Sequence, residues 1–79
     1  NFIKHGVTDQ ECEESFFDLK KIVLKDRPHS LVEKRYILLG ITKGQRLLYT
    51  VFTFRKDKIR IISARYVSKR ERKIYEEKT

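Results

Sequence analysis

The chain has 79 residues and a mass of 9.6 kDa, which corresponds to a single small domain with no room for a second. Its apolar runs are far shorter than a membrane span, and no signal-peptide pattern is present. One cysteine excludes an internal disulfide framework, and one cysteine with two histidines is too little for a structural zinc site. These features indicate a reducing compartment, the cytoplasm.

The net charge of +8 is concentrated in the second half of the chain. Residues 1–42 carry seven basic and seven acidic side chains, whereas residues 43–79 carry twelve basic and four acidic ones. Such segregation favours a polyanionic partner: nucleic acid, an acidic protein or a membrane surface. The alternative is a solvated basic surface that serves only to keep the protein soluble.

The first five residues, Asn1 to His5, are interpreted as the end of a helix whose beginning is absent. Gly6 fits the position after a helix, where the chain adopts a left-handed conformation and a Cβ would clash. Because the sequence does not begin with methionine, a further segment is expected before Asn1.

A capping box is present in the four residues from Thr8 to Glu11, flanked by Val7 and Cys12 at the positions of a hydrophobic staple. A helix is therefore predicted from about Asp9 to Phe17. Its apolar face is predicted to consist of Cys12, Phe16 and Leu19, which are spaced i, i+4 and i+7. Cys12 is interpreted as a core residue rather than a nucleophile, because no charged neighbour that would lower its pKa is evident.

Four strands are predicted next: a short one at residues 22–24, and three longer ones at about 35–41, 46–54 and 58–65. Lys43-Gly44 and Lys56-Asp57 supply two hairpin turns, so the long strands form an antiparallel meander. Its second strand is predicted to place Leu48, Phe52 and Phe54 on one face, and Leu47, Tyr49 and Val51 on the other. One face is expected to be covered and the other partly open.

A second capping box, Ser68 to Glu71, predicts a C-terminal helix that ends near Glu77. The order of elements is that of an α+β domain. Unpaired amides at a helix N-terminus suit a phosphate group. Arg65 is expected close to this terminus, with Arg70 and Arg72 on the first turn, so a phosphate there would be surrounded by donors. The alternative for these two helix arginines is a solvated face, and for Glu71 a capping role alone.

No metal-binding motif of the HExxH or CxxC type and no glycine-rich phosphate loop occurs in the sequence. Two segments at their spacing, Arg-Ile-Ile-Ser-Ala-Arg at residues 60–65 and Arg-Glu-Arg-x-x-Tyr at residues 70–75, resemble the BrnT family. These are ribonuclease toxins of bacterial type II toxin–antitoxin systems with a RelE-like fold. The resemblance is extended by Lys4-His5-Gly6-Val7, Phe17-Asp18, Asp26, His29, Glu33-x-Arg35-Tyr36 and Gly40.

Family members begin with a strand containing Trp-Asp and a helix that ends in Asn-x-x-Lys-His-Gly. Asn1 corresponds to that asparagine, so residues 1–79 are expected to form a single BrnT-like domain that lacks its N-terminal strand. The fold that the resemblance implies is a RelE-like antiparallel sheet, built from the meander and a short strand, with N-terminal helices and a C-terminal helix.

The resemblance implies RNA cleavage without metal or other cofactor, in which the ribose 2′-OH attacks the adjacent phosphate. Arg65 and Arg72 are then expected to stabilise the phosphorane. The residues expected to bind RNA in support are Lys4, Arg60, Lys69 and Arg70. His5 is the natural proton shuttle by its pKa, although a histidine that binds helix-end carbonyls is an equal alternative.

Glu71 and Glu33 are candidate bases for the same reaction. Asp26 and His29 are expected to order the loop before the meander.

The expected partners are an RNA substrate and a cognate antitoxin, similar to BrnA, with a ribbon-helix-helix part that alone contacts operator DNA; no membrane is expected. The alternatives to an enzyme are a basic module that holds RNA or DNA without cutting it and a protein whose basic face only docks an acidic partner. A binding module usually displays aromatic side chains among basic ones. Tyr49, Phe52 and Phe54 are instead expected inside or half-buried, and only Tyr66 and Tyr75 lie within the basic segment.

Overall fold

The structure, a computed structural model, describes residues 3–27 and 33–78. In these ranges the elements follow in the order β1 (Ile3–His5), α1 (Asp9–Phe16), β2 (Ile22–Lys25), β3 (Arg35–Ile41), β4 (Leu47–Arg55), β5 (Lys58–Tyr66) and α2 (Lys69–Lys78). The strands form one sheet in the order β1-β5-β4-β3-β2. The predicted α+β class and the antiparallel meander are confirmed, and β2 pairs antiparallel with β3 as a fourth strand.

The interpretation of Asn1 to His5 as the end of a helix is wrong. Ile3–His5 is a strand that runs parallel to β5, with His5 opposite Arg65. A short helical turn has little stability alone, whereas the edge of β5 offers backbone groups that need partners. Gly6 has the expected positive φ, 74°, but it turns the chain from β1 towards α1. The further strand expected before Asn1 lies outside the described residues.

The first capping box forms as predicted. The Glu11 amide donates to Thr8 Oγ1 at 3.1 Å, and the Thr8 amide donates to Glu11 Oε1 at 3.1 Å. Val7 and Cys12 are buried together against Leu48 and Ala64 of the sheet, as expected for a hydrophobic staple. This staple fixes one end of α1 on the sheet.

The prediction that Leu19 belongs to the apolar face of α1 is wrong, because the helix ends at Phe16 and Leu19 is 98% exposed. The chain leaves the helix at Asp18, whose carboxylate accepts from the Lys20 amide at 2.9 Å and from the Ile41 amide at 3.0 Å. These bonds turn the chain into β2 and away from the helical spacing on which the prediction depended.

Both hairpin turns lie where the sequence predicts them. Lys56 and Asp57 adopt positive φ values of 50° and 66°, which is the geometry of a two-residue turn between twisted strands. In the β3–β4 turn the positive φ falls on Gln45, at 67°. The register of β4 and β5 shifts between Val51 and Phe52, so Ile62 is an extra residue that bends β5.

The two helices pack on opposite faces of the sheet. Leu48 and Phe52 face α1, whereas Leu47 packs with Leu39 and Tyr75 on the face that α2 covers. The predicted division of β4 into two faces is therefore confirmed, and each face carries one helix. No helix within the described ranges is both long and apolar enough to cross a bilayer.

Candidate functional site

Three strands bring charged and polar side chains to one end of the sheet, where β1 and β5 end and β4 begins. We call this region the basic end and define it by His5, Arg46, Arg65, Tyr66 and Arg72. The residues before and after the strands converge there because β1 and β5 are parallel and β4 runs against them. Helix α2 starts only two residues after β5, so its first turn joins the same region.

Arg65 is held from three directions. Its Nη1 and Nη2 donate to Glu71 Oε1 and Oε2, both at 2.8 Å, and Nη1 also donates to the Tyr66 carbonyl at 3.2 Å. The guanidinium carbon lies 4.0 Å from the centroid of the Tyr49 ring, which is within cation–π distance. The side chain stays 40% exposed. Arg65 is therefore a fixed cation at the surface rather than a mobile one.

Glu71 has two structural roles, because it binds Arg65 and caps α2. Besides binding Arg65, its Oε1 accepts from the Ser68 amide at 2.9 Å, and the Glu71 amide donates to Ser68 Oγ at 3.3 Å, which completes the second predicted capping box. The hydrogen bonds from Arg65 hold the pKa of Glu71 below its usual value, although burial opposes this effect. A carboxylate with a lowered pKa is a weaker base, so this geometry disfavours Glu71 as a proton acceptor.

The ion pair with Glu71 also changes the pKa of Arg65. The hydrogen bonds to Glu71 raise the pKa of Arg65, and burial raises the pKa of Tyr49 beside it. The pair with Glu71 thus favours the charged form of Arg65. One fork of the guanidinium, Nη1 and Nη2, is taken by Glu71. The second fork consists of Nε and Nη2. Within residues 3–27 and 33–78, the only acceptor bound by this fork is Glu71, through Nη2.

A second cation, Arg46, lies on Tyr66. Its Nη1 contacts the Tyr66 hydroxyl, its guanidinium lies 5.2 Å from the ring centroid, and its Nε is 4.0 Å from Glu11 Oε2. The Tyr66 hydroxyl in turn donates to the Gly6 carbonyl at 3.0 Å. Tyr66 therefore links the end of β5 to the end of β1 and also contacts Arg46, which precedes β4.

Arg72 lines a shallow open groove of about 310 Å³ beside this pair. The groove is bordered by Gln45, Arg46, Leu47, Tyr66, Val67 and Arg72. Two guanidinium groups and one phenol ring on the same groove form a surface that can bind a phosphate and stack on a base.

His5 is opposite Arg65 in the register of β1 and β5, and its side chain is exposed. Directly paired residues of parallel strands share a face of the sheet, and neighbouring strands lie about 4.8 Å apart. The structure therefore brings together His5 and Arg65, as the sequence predicts, but on two strands rather than at a helix end.

The remaining predicted site residues are more scattered. Lys69 and Arg70 are exposed on the first turn of α2, close to Arg65 in the chain. Arg60 pairs with Thr53 and stands five positions before Arg65, which corresponds to about 16 Å along a strand. Lys4 pairs with Ala64 through its backbone, and its side chain lies outside the described part of the structure.

Two further predicted roles concern the loop before β3. Asp26 is buried, and its amide donates to the Arg35 carbonyl at 2.8 Å, which continues the pairing of β2 with β3. This backbone bond does not involve the carboxylate, so the expected role of Asp26 in ordering the loop stays a prediction. Glu33 Oε1 accepts from Arg35 Nε at 3.4 Å, away from the basic end. His29 lies outside the described residues. Where the structure describes the chain, no group of three or more His, Cys, Asp or Glu side chains could hold a metal ion.

Sequence reasoning missed Arg46, Tyr49 and Tyr66 as parts of this region. Arg46 gives no local signal, because it stands between a turn and a strand and reaches the site only through the pairing of β4 with β5. Tyr49 could be found by combining the two predicted strands, since it is directly opposite Arg65. The contact between Arg65 and the Tyr49 ring therefore depends on strand pairing, and no motif within one segment shows it.

A comparison with protein families places the chain in one of them. The family model described as the ribonuclease toxin BrnT of type II toxin–antitoxin systems matches residues 1–71. The matched range includes β1 through the first turn of α2, and with them His5, Arg46, Arg65, Tyr66 and Glu71. No curated protein matches the chain.

Proposed function

The chain belongs to the BrnT family of ribonuclease toxins of type II toxin–antitoxin systems, and we propose that it cleaves RNA at the basic end of its sheet. The family implies an RNA target and an antitoxin partner. We further propose that residues 1–79 form a single domain with a RelE-like fold and that the protein acts in the cytoplasm.

The observation that carries the proposal is the immobilised guanidinium of Arg65. A cation stabilises a transition state best when it needs no reorganisation as charge develops. Glu71, the Tyr66 carbonyl and the Tyr49 ring hold Arg65 in one position. Its Nε and Nη2 edge can still donate two parallel hydrogen bonds to one phosphate, and no lysine could reproduce that fork.

In the proposed reaction, the ribose 2′-OH attacks the adjacent phosphorus and loses its proton to a base. The bond to the 5′ oxygen breaks, and that oxygen takes up a proton from an acid. The products are a 2′,3′-cyclic phosphate and a 5′-hydroxyl end. The phosphorane between these steps carries two negative charges, which Arg65 and Arg72 stabilise from the two sides of the α2 start.

We assign proton transfer to His5. An imidazole can both accept and donate a proton, and this one is exposed and lies beside Arg65 on the neighbouring strand. Glu71 is proposed as a positioning residue rather than a base, because its charge is committed to Arg65 and to the cap of α2.

The other cations are proposed to hold the RNA on either side of the reacting phosphate. Arg46 and the ring of Tyr66 border the groove that Arg72 lines, which suits one nucleotide with its base stacked. Lys69, Arg70 and Lys4 would contact phosphates near the start of α2 and the end of β1. Arg60, further along β5, would contact a more distant phosphate of the same strand.

The test is cleavage of a single-stranded RNA by the purified chain in the presence of EDTA, with analysis of the product ends. We expect 2′,3′-cyclic phosphate and 5′-hydroxyl ends, and no cleavage of the same oligonucleotide with deoxyribose at the cut position. Arg72→Ala should reduce cleavage strongly, whereas Lys25→Ala, on the opposite edge strand, should not. Binding of RNA without any cleavage would favour the alternative of a non-catalytic module.

A further inference from the structure

A second groove, on the face of the sheet that carries α1, has the opposite character to the basic end. It has a volume of about 500 Å³ and lies between α1 and β5. We call it the α1 groove; its lining consists of Asp9, Cys12, Glu13, Phe16, Phe17, Ile59 and Ile61. Five of these seven side chains are apolar, and the two charged ones are both acidic.

Large apolar side chains are exposed along this groove. Phe17 is 77% exposed and Ile59 is 48% exposed. Phe54, opposite Ile59 in the register, is 55% exposed and extends the apolar surface towards the β4–β5 turn. Ring contacts from Phe16 to the buried Phe52 at 5.2 Å and from Phe52 to Phe54 at 5.7 Å hold Phe16 and Phe54 on the same face of the sheet. Contiguous exposed apolar surface of this kind marks a protein interaction site.

The charge next to the groove excludes RNA as its occupant. Residues 6–19 carry five acidic side chains and no basic one, in a chain whose net charge is +8. Asp9 and Glu13 are one helical turn apart and border the groove on the α1 side. A polyanion would be repelled there, whereas lysine or arginine side chains on a partner would be attracted.

We propose that the α1 groove binds an amphipathic helix of the antitoxin, with an apolar stripe on Phe16, Phe17 and Ile59 and with lysine or arginine side chains against Asp9 and Glu13. The partner's identity as an antitoxin depends on the function proposed above. The eight residues of α1 span about 12 Å, so two to three turns of a partner helix fill the groove. A helix whose apolar residues recur at i, i+3, i+4 and i+7 is the usual occupant of such a groove.

The experiment uses two synthetic helical peptides with the same leucine stripe. One carries lysines and the other carries glutamates on the flank of the stripe. Binding to the full chain is measured at about 0.15 M salt, where charges are screened beyond about 8 Å. We expect the lysine peptide to bind and to shift the amide resonances of α1 and of Ile59 and Ile61. The net charge of the protein alone would favour the glutamate peptide, so the preference distinguishes the local acidic border from the overall charge.

Two variants and one matched control test the contact residues. Ile59→Asp should weaken binding of the lysine peptide by about tenfold or more, because it replaces apolar contact area with a charge. Val23→Asp is the control, since Val23 is 49% exposed but lies on β2, at the other side of the sheet. Glu13→Lys should weaken the lysine peptide by about two- to fivefold and strengthen the glutamate peptide, as expected for an exposed ion pair.

The same variants apply to the antitoxin itself, taken as the protein encoded next to the toxin gene. Ile59→Asp should abolish its rescue of growth, Val23→Asp should keep it, and both should cleave RNA as the parent does. A preference for the glutamate peptide, resonance shifts at the basic end, or a dimer of the chain that Ile59→Asp dissociates would each overturn the proposal. Absence of RNA cleavage together with intact lysine-peptide binding would instead remove only the function proposed above.

Discussion

The Tyr75 hydroxyl donates a 2.6 Å hydrogen bond to the Asp18 carboxylate, which joins α2 to the loop after α1 across the sheet. Burial raises the pKa of Tyr75 to about 12, and the hydrogen bond to Asp18 adds to this effect. Burial opposes ionisation of Asp18 as well, but the bonds from Tyr75 and from the Ile41 and Lys20 amides hold its pKa below the usual value. One carboxylate therefore ties three segments together.

Tyr75→Phe should lower the free energy of unfolding by about 2 kcal/mol at neutral pH, the usual contribution of a hydrogen bond to a charged group. The ring still fills its place against Leu39 and Leu47, so the loss reports the hydroxyl alone. Urea unfolding measures the difference. Tyr36→Phe is the control, because the Tyr36 hydroxyl has no hydrogen-bond partner in the described ranges. An equal loss of unfolding free energy in both variants would show that the hydrogen bond to Asp18 does not stabilise the fold.

The same pair predicts a dependence of stability on alkaline pH. Because the pKa of Tyr75 rises from 10.0 to about 12 on folding, its contribution is fully present below pH 10 and is lost as the pH rises towards 12. Unfolding free energies of the parent should therefore fall more steeply between pH 10 and pH 12 than those of Tyr75→Phe. Parallel curves for the two proteins would contradict the shift.

Local signals were sufficient for much of this fold. Both capping boxes and both turns depend on residues within four positions of each other, and each lies where the sequence predicts it. The strand Ile3–His5 could not be predicted in this way, because its partner is β5, some 60 residues later. The prediction that Leu19 lies on the apolar face of α1 was wrong for a related reason: Asp18 turns the chain away from the helix through a bond to Ile41, 23 residues away.

The candidate site was predictable in part for the same reason. Arg65 and the start of α2 are neighbours in sequence, so their proximity followed from the predicted elements. The fork between Arg65 and Glu71 and the ring of Tyr49 beneath it depend on side-chain geometry and cross-strand register, which no pattern in one segment contains. Arg46 reaches Tyr66 only after the sheet is assembled.

Adding one methyl group at Gly40 is expected to lower the free energy of unfolding strongly. A Cβ at this position would lie 2.3 Å from the Ser15 carbonyl oxygen, because the last turn of α1 crosses β3 there. Gly40→Ala should cost about 3 kcal/mol or more, since backbone must move to make room. In Gly44→Ala the new Cβ would meet only Thr42 Oγ1 at 3.8 Å, so stability should be nearly unchanged. Similar melting temperatures for the two variants would mean that α1 does not pack so closely.

RNA affinity should fall steeply as salt increases if the basic end binds the phosphate backbone. For a single strand the logarithm of the binding constant changes with the logarithm of salt concentration by about −0.7 per phosphate neutralised. Arg72→Ala should reduce this slope by about 0.7, whereas Lys25→Ala on β2 should leave it unchanged. Titrations at four salt concentrations give the slopes. A slope near zero for the parent would remove the argument from charge.

Replacing Arg65 tests whether its fork, and not only its charge, stabilises the reaction. Arg65→Lys should lose cleavage nearly as severely as Arg65→Ala, by on the order of 10²-fold in kcat, because lysine cannot form two parallel bonds to a phosphate. RNA affinity should change much less, since the contact strengthens only in the transition state. Both variants also lose the bidentate pair with Glu71 and the contact of the guanidinium with the Tyr49 ring. Together these losses should lower the free energy of unfolding by about 1 kcal/mol, because the site is partly exposed.

Glu71→Gln separates a positioning role from proton transfer at the same site. Glutamine can still cap α2 through Ser68, but it cannot hold both Nη groups of Arg65, so the guanidinium becomes mobile. We expect kcat to fall about tenfold, with KM and the pH profile unchanged, because loosening a preorganised donor weakens its effect without removing it. Glu77→Gln, on the exposed end of α2, is the matched control. His5→Gln should instead abolish cleavage, because it removes the group proposed to transfer the proton. A changed pH profile in Glu71→Gln, with cleavage and the parent's profile retained in His5→Gln, would make Glu71 the base and exclude His5 from proton transfer.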